Sequence, residues 1–85
     1  MKLNELFDSV TIQGPVTICV FDENYTNPDL PIAYENLRPL FETYDMDADR
    51  YKIDEATAEM EIAYIYPFSY ADHNRLMIEV AETED

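Results

Sequence analysis

The chain has 85 residues and a formal net charge of -14 at pH 7, from 19 acidic and 5 basic side chains. This length builds one hydrophobic core, and an apolar fraction of 47% indicates a folded protein rather than a disordered acidic chain. The negative charge disfavours direct binding to nucleic acid or to an anionic membrane. No apolar run reaches the roughly 18–20 residues that cross a bilayer. Polar residues interrupt the first apolar ones, so we expect no signal peptide and a cytoplasmic location.

An amphipathic helix is predicted at the beginning of the chain, where four apolar residues recur at the spacing of one helical stripe: Leu3, Leu6, Phe7 and Val10. Gly14 and Pro15 end this helix and precede residues 16–22, the longest run of β-branched and aromatic residues. This run predicts the central strand of a small sheet. Its cysteine, Cys19, is the only one in the chain and cannot form an intrachain disulfide, which agrees with a reducing compartment.

The next two elements are predicted from short patterns. Residues 31–35 follow an Asn-Pro-Asp turn signal and predict a second strand that pairs with the first. Asn36 then caps a predicted helix that tolerates Pro39 in its first turn and has an apolar stripe at helical spacing: Leu37, Leu40, Phe41 and Tyr44. We expect this helix to pack on the same face of the sheet as the first.

Acidic residues dominate the following segment, and residues 45–59 are predicted to be a largely solvated connection with one helical turn at 54–58. Residues 60–66 alternate and predict a third strand that ends at Pro67. Residues 75–80 predict a fourth strand, which forms an antiparallel hairpin with the third and directs three side chains into the core: Leu76, Ile78 and Val80.

These elements predict a single α+β domain, residues 1–80, in the order α-β-β-α-β-β, followed by an acidic tail, residues 81–85. The sheet is expected to be four-stranded and mainly antiparallel, with two short helices on one face. Strict alternation places four apolar residues on the helix-free face: Cys19, Phe21, Ala63 and Ile65. Either this face is an apolar patch that binds a second copy or a partner, or a loop carrying Phe68 and Tyr70 covers it.

The sequence contains no convincing catalytic or metal motif. Asp45-x-Asp47-x-Asp49 begins like the calcium loop of an EF-hand, but Arg50 replaces the required glycine and Ala56 the required bidentate Glu. A solvated acidic loop is therefore favoured over a metal site. His73 has no neighbouring nucleophile, Cys19 has no nearby cation in sequence, and a single glycine excludes a phosphate-binding loop. We expect no enzyme activity, no metal and no cofactor.

Five stretches, which together span most of the chain, form a recognisable pattern: MKLNELFDSV, GPVTICVFDE, IAYENLRPLF, MEIAYIYP and RLMIEV. This pattern resembles small acidic uncharacterised proteins of phages and prophages of Gram-positive bacteria. In size, acidity and suspected origin the chain is also similar to phage anti-CRISPR proteins, several of which occupy the DNA-binding surface of a CRISPR nuclease as nucleic-acid mimics. The resemblance implies an anti-defence protein and assigns a role to no individual residue.

Seven tyrosines are many for this length, and we expect Tyr34, Tyr44 and Tyr64 in the core but Tyr25, Tyr51 and Tyr70 at the surface. Exposed tyrosine among carboxylates is typical of surfaces that bind basic proteins. Glu59 and Glu61, at alternate strand positions, would lie about 6.6 Å apart, a spacing comparable to that of phosphates along one DNA strand. The predicted partner-binding set is Asp45, Asp47, Asp49, Tyr51, Asp54, Glu55, Glu59 and Glu61.

The sequence thus favours a non-enzymatic inhibitor that acts as a DNA mimic and occupies the nucleic-acid groove of a basic protein such as a CRISPR nuclease. The alternative is a small homo-oligomeric phage accessory protein, in which acidity only maintains solubility and the helix-free face makes the contacts. A calcium-dependent module is the third interpretation.

Overall fold

A computed structural model of the protein describes residues 1–70 and 73–82. In this part of the chain the α-helices are α1 (Leu3–Ser9), α2 (Met46–Asp49) and α3 (Glu55–Ala58), and the strands are β1 (Val16–Phe21), β2 (Leu37–Thr43), β3 (Glu61–Tyr70) and β4 (His73–Ala81). Short 3-10 helices span Ile32–Tyr34 and Arg50–Lys52. The fold is α+β, as the sequence predicts. Most of the predicted acidic tail lies outside the described residues, as do residues 71 and 72 between the last two strands.

The four described strands form one mixed sheet in the order β2-β1-β4-β3. The outer strands β2 and β3 pair antiparallel with β1 and β4, whereas the two central strands, β1 and β4, run parallel. The predicted β3–β4 hairpin is confirmed. The predicted mainly antiparallel sheet is confirmed in two of the three described strand pairs, and the central pair makes the sheet mixed, with Ile18 beside Ile78 in parallel register.

The main core lies between the sheet and the α-helices. Its buried residues come from α1, α2 and the two central strands: Leu3, Phe7, Val16, Ile18, Met46, Ile78 and Val80. In α1, Leu3 and Phe7 are four residues apart and therefore lie on one helical stripe, as predicted. The predicted inward side of β4 is also confirmed, because Leu76 packs against this core beside the two buried residues of that strand.

The opposite side of the sheet, the helix-free face, carries a second buried cluster: Cys19, Leu37, Phe68 and Met77. The connection between β1 and β2, residues 22–36, packs Leu30 and Tyr34 against this cluster. The Tyr34 ring meets the Phe68 ring edge-on, with 5.1 Å between the centroids. The predicted cover by a loop carrying Phe68 and Tyr70 is wrong, since both residues belong to β3 and residues 22–36 supply the cover instead.

Two predicted elements are assigned to the wrong residues. The predicted strand at 31–35 contains a 3-10 helix, and the predicted helix that begins at Leu37 is β2. A β-bulge explains the misleading spacing, because the register with β1 shifts between Phe41 and Pro39 and leaves Leu40 as an extra residue. Leu40 and Phe41 therefore both pack against the main core, at positions that helical spacing would also place together.

A second bulge changes which side chains of β3 face the helices. The register with β4 shifts between Ile62 and Tyr64, so Ala63 is the extra residue. Ile65 then lies opposite a main-core residue of β4, and its predicted place on the helix-free face is wrong. The strand also continues through Pro67, its predicted end, because an outer strand tolerates a residue without an N–H on its unpaired side.

The acidic connection between β2 and β3 is more ordered than predicted. The expected helical turn at 54–58 is confirmed as α3, but α2 and the following 3-10 helix form where a solvated chain is predicted. Met46 at the start of α2 is fully buried in the main core. One apolar side chain among many acids therefore anchors the connection to the sheet.

Replacing Met46 with alanine should lower the free energy of unfolding by about 2–5 kcal/mol, because it leaves a cavity at a fully buried site. Urea unfolding followed by circular dichroism measures this loss. The control is Tyr44→Ala, which truncates a side chain that is 79% exposed and should cost roughly 0.5 kcal/mol or less. Equal losses in the two variants would contradict the anchoring role of Met46.

Candidate functional site

The acidic segment, residues 42–61, contains eight carboxylates and two basic side chains. Besides Met46, Arg50 fixes its position. The Arg50 guanidinium donates to the backbone carbonyl of Phe7 at 2.6 Å and pairs with the Asp8 carboxylate at 3.2 Å. It also lies 5.9 Å from the centroid of the Phe7 ring. These contacts hold the acidic segment against α1, on the side of the sheet that carries the helices.

A network of side-chain hydrogen bonds forms the beginning of the segment. The Asp45 carboxylate caps α2 by accepting from the Ala48 N–H at 3.3 Å, and the Asp45 N–H donates to the Thr43 hydroxyl at 3.0 Å. The Thr43 hydroxyl in turn donates to Asp49, which also pairs with Lys52 at 3.1 Å. The bond from Thr43, followed by the contact with Lys52, holds the pKa of Asp49 below its usual value of 3.8.

Two of the predicted partner-binding acids contact the beginning of the chain instead. Glu59 accepts from the Lys2 ammonium at 2.9 Å and from the Asn4 amide at 3.1 Å, and this contact raises the pKa of Lys2. Glu61 accepts from the amino group of Met1 at 2.9 Å. Their predicted spacing at alternate strand positions is wrong, because Glu59 ends α3 and only Glu61 lies in β3.

The remaining predicted acids are exposed and lie on or beside the two short helices: Asp45, Asp47, Asp54 and Glu55. Among the described residues, no basic side chain lies within ion-pair distance of any of these four carboxylates. The structure therefore divides the predicted set. Asp49, Glu59 and Glu61 form internal ion pairs, whereas these four carboxylates do not, although Asp45 also caps α2.

Two tyrosine rings of the segment are exposed to solvent. Tyr51 is 84% exposed, as predicted, and the Arg50 guanidinium lies 5.2 Å from its ring centroid. Tyr44, predicted in the core, is 79% exposed because it follows strand β2 instead of continuing a helical stripe. Tyr64, also predicted in the core, is 65% exposed on the helix-free face, whereas Tyr34 packs against the second cluster there as expected.

The described residues do not assemble a metal site from their Asp, Glu, His and Cys side chains. In the EF-hand-like motif, Asp45 caps a helix and Asp49 bonds to Thr43, so these two carboxylates serve local structure. Cys19 is buried in β1, and burial, with smaller contributions from Glu79 and Glu42, raises the pKa of its thiol to about 12. The thiol is therefore protonated at neutral pH, the less nucleophilic form.

A feature that sequence reasoning missed is a cavity of about 400 Å³ on the helix-free face, between the sheet and residues 22–36. Its lining combines the buried cluster of this face with three charged side chains: Asp29, Glu42 and Arg75. No local sequence signal marks this cavity, because all four strands and the connection contribute to it. Only the order of the strands brings the lining residues together.

Replacing Asp49 with asparagine should lower the melting temperature at pH 7 more than Asp47→Asn does. Both variants remove one negative charge, but only Asp49 is bonded to Thr43 and Lys52. Because the pKa of Asp49 is lowered on folding, its ionised form contributes stability above pH 3.8, and this contribution is lost as the pH falls through the folded-state pKa. The difference in melting temperature between the two variants should therefore become smaller as the pH falls toward 3. Thermal melts between pH 7 and pH 3 measure it, and a difference independent of pH would contradict the linkage.

Comparisons with protein-family models, with curated proteins and with solved structures each find no match. The longest helix in the described part of the chain, α1, has 7 residues. Within that part, no helix has the length and apolar character needed to cross a membrane.

Proposed function

We propose that the protein is a non-enzymatic inhibitor that binds the basic nucleic-acid groove of a nuclease or another DNA-binding protein as a mimic of DNA. One observation carries the proposal: on a chain of net charge -14, the acidic segment contains exposed carboxylates that have no ion-pair partner among the described residues, together with an exposed tyrosine. The carboxylates are Asp45, Asp47, Asp54 and Glu55, and the tyrosine is Tyr51.

Charge gives this surface a preference among partners. Interactions between exposed charges extend over a Debye length of about 8 Å at physiological salt, so each carboxylate of the segment acts on basic groups of a partner within that distance. Surfaces that hold nucleic acid carry clustered Lys and Arg, which complement such a field and steer rapid association. The same field repels DNA and RNA, which favours the protein as a competitor of nucleic acid rather than as its ligand.

Tyr51 supplies the apolar part of the contact. A tyrosine ring buries a large area at small entropic cost, and tyrosine is enriched at the centres of protein interfaces. The Arg50 guanidinium beside the ring is itself held by Phe7 and Asp8, which limits the movement of the ring before binding. Tyr51, which lies between the two short helices in the chain, therefore suits the role of an anchor.

The resemblance to acidic phage proteins suggests the class of target. A CRISPR nuclease holds its guide–target duplex in a positively charged channel and recognises it by backbone and shape rather than by sequence. A set of exposed carboxylates can occupy such a channel without copying a base sequence. This proposal places the protein in the bacterial cytoplasm, where the nuclease acts.

A second candidate function is that of a small homo-oligomeric accessory protein. It is favoured by two exposed aromatic rings on the helix-free face, Phe21 and Tyr64, each 65% exposed. Contact between two such faces would bury both rings. Repulsion between two chains of charge -14 opposes this assembly, so we rank it second.

The triple variant Asp47→Asn, Asp54→Asn and Glu55→Gln should bind its partner about tenfold more weakly, since three exposed ion pairs contribute roughly 0.5 kcal/mol each. The tagged protein is incubated with bacterial lysate and washed at rising salt or with competing DNA, and retained proteins are identified by mass spectrometry. We expect a nuclease or a DNA-binding protein that both salt and DNA release. Titration of that purified protein then measures the affinities.

The matched control is Glu23→Gln, Glu35→Gln and Glu82→Gln, which removes the same charge outside the acidic segment and should leave the affinity within about twofold. If both triple variants bound the partner equally weakly, the net charge of the protein, and not the acidic segment, would determine the affinity. Retention that resists both salt and DNA would contradict mimicry. A stable oligomer in sedimentation, with no other protein retained, would favour the accessory protein.

A further inference from the structure

We propose that the cavity on the helix-free face is a binding site for a small monocarboxylate with an apolar body, held by Arg75. This site is separate from the acidic segment and does not depend on the proposed inhibitor function. Its volume of about 400 Å³ lies within the range of roughly 300–1,000 Å³ that is usual for pockets holding small organic molecules.

The lining of the cavity suits an apolar ligand body. Its inner surface includes the side chains of the buried cluster, Cys19, Leu37, Phe68 and Met77, and residues 22–36 add Leu30 on the other side. Two sulfur-containing side chains and one aromatic ring give a polarisable, adaptable surface that accepts aliphatic or aromatic groups. Burial of such groups drives binding, while the charged lining residues select the polar part of the ligand.

Arg75 is the least exposed of the three charged groups that line the cavity, and the protein itself gives its guanidinium few partners. Its side chain is only 14% exposed, the lowest value for a basic side chain in the described ion pairs. Its Nη1 donates to the Thr17 hydroxyl at 2.7 Å. The Glu42 carboxylate is 3.8 Å away, whereas the other described ion pairs are between 2.9 and 3.3 Å long.

The geometry of the guanidinium selects a carboxylate. Arginine has five N–H donors in a planar fork that matches two carboxylate oxygens, and within the described residues only Thr17 accepts from Arg75 at hydrogen-bond distance. The Glu42 side chain is 54% exposed, so it can turn toward water when a ligand takes its place. Asp29 and Glu42 both line the cavity and disfavour a ligand with several negative charges. A ligand with a single carboxylate accepts from the Arg75 guanidinium and brings only one negative charge near Asp29 and Glu42.

The competing interpretation is that the cavity binds a cationic ligand instead of a carboxylate. Asp29 and Glu42 could hold the ammonium group of an apolar amine, with the same apolar lining around its body. Arg75 opposes this, because its charge is the more buried and therefore the less screened by water. The affinities of a carboxylate and an amine with the same apolar body show directly which of the two ligand types the cavity prefers.

Titration of the full-length ¹⁵N-labelled protein with hexanoate, 1-hexanol and hexylamine, followed by amide chemical shifts, tests the proposal. Hexanoate should produce saturable shifts at the amides of Thr17, Cys19 and Met77, with an affinity at least tenfold higher than that of 1-hexanol or hexylamine. This ratio corresponds to one charge-assisted hydrogen-bonded contact. Phenylacetate should bind at the same amides.

Three variants assign the binding to Arg75. Arg75→Met should weaken hexanoate binding at least tenfold, whereas Arg38→Met, which removes the same charge from a side chain outside the cavity, should leave it unchanged. Glu42→Gln should tighten hexanoate binding several-fold, because it removes the internal competitor for Arg75. This gain is measurable even where the loss of Arg75 unfolds the protein.

Tighter binding of hexylamine than of hexanoate, weakened by Glu42→Gln, would overturn the proposal in favour of a cation site. Equal affinities for hexanoate and 1-hexanol would also overturn it, because the carboxylate would then have no role. Absence of saturable shifts at these amides with both hexanoate and phenylacetate would overturn it as well.

Discussion

The parallel pairing of β1 with β4 is the constraint on which the rest of the fold depends. It joins strands from the two ends of the chain, and Ile18 and Ile78 meet there, both fully buried. Parallel neighbours need a long crossover connection, which here includes residues 22–36, β2, the acidic segment and β3. One face of this central pair supports the main core, and the other carries Cys19 and Met77 in the lining of the cavity. The core and the candidate ligand site therefore form together.

The two outer strands share features that protect the edges of the sheet. Each contains a proline, Pro39 in β2 and Pro67 in β3, and each contains a β-bulge. Proline withholds a backbone donor, and a bulge increases the local twist, so both oppose pairing with another chain. Together with the charge of -14, these features disfavour association edge to edge. Contacts with a partner are then left to side chains, as both proposed binding surfaces require.

Internal pairing determines which carboxylates define the candidate partner-binding surface. With 5 basic side chains for 19 acids, most carboxylates of the described residues have no ion-pair partner, so the folded state retains repulsion between like charges. The available cations form internal ion pairs, such as Lys2 with the distant Glu59 and Lys52 with Asp49 three residues away. The cation of the cavity, Arg75, instead has a long ion pair and a buried side chain. The acidic segment and the cavity thus differ in charge, burial and the ligands they suit.

The sequence by itself determined α1, β1, β4 and the α+β class, because helical or alternating spacing and the need to bury one face act locally. It also identified Asp47, Asp54, Glu55 and Tyr51 as exposed. Only the tertiary structure decided that Leu37 begins a strand, because pairing with β1 places Leu37 on one face of the sheet and the bulge at Leu40 brings Leu40 and Phe41 to the other. The ion pairs of Glu59 and Glu61, the parallel central pair and the cavity likewise depend on contacts between residues far apart in the chain. Local propensity and periodicity carry no information about such long-range pairing.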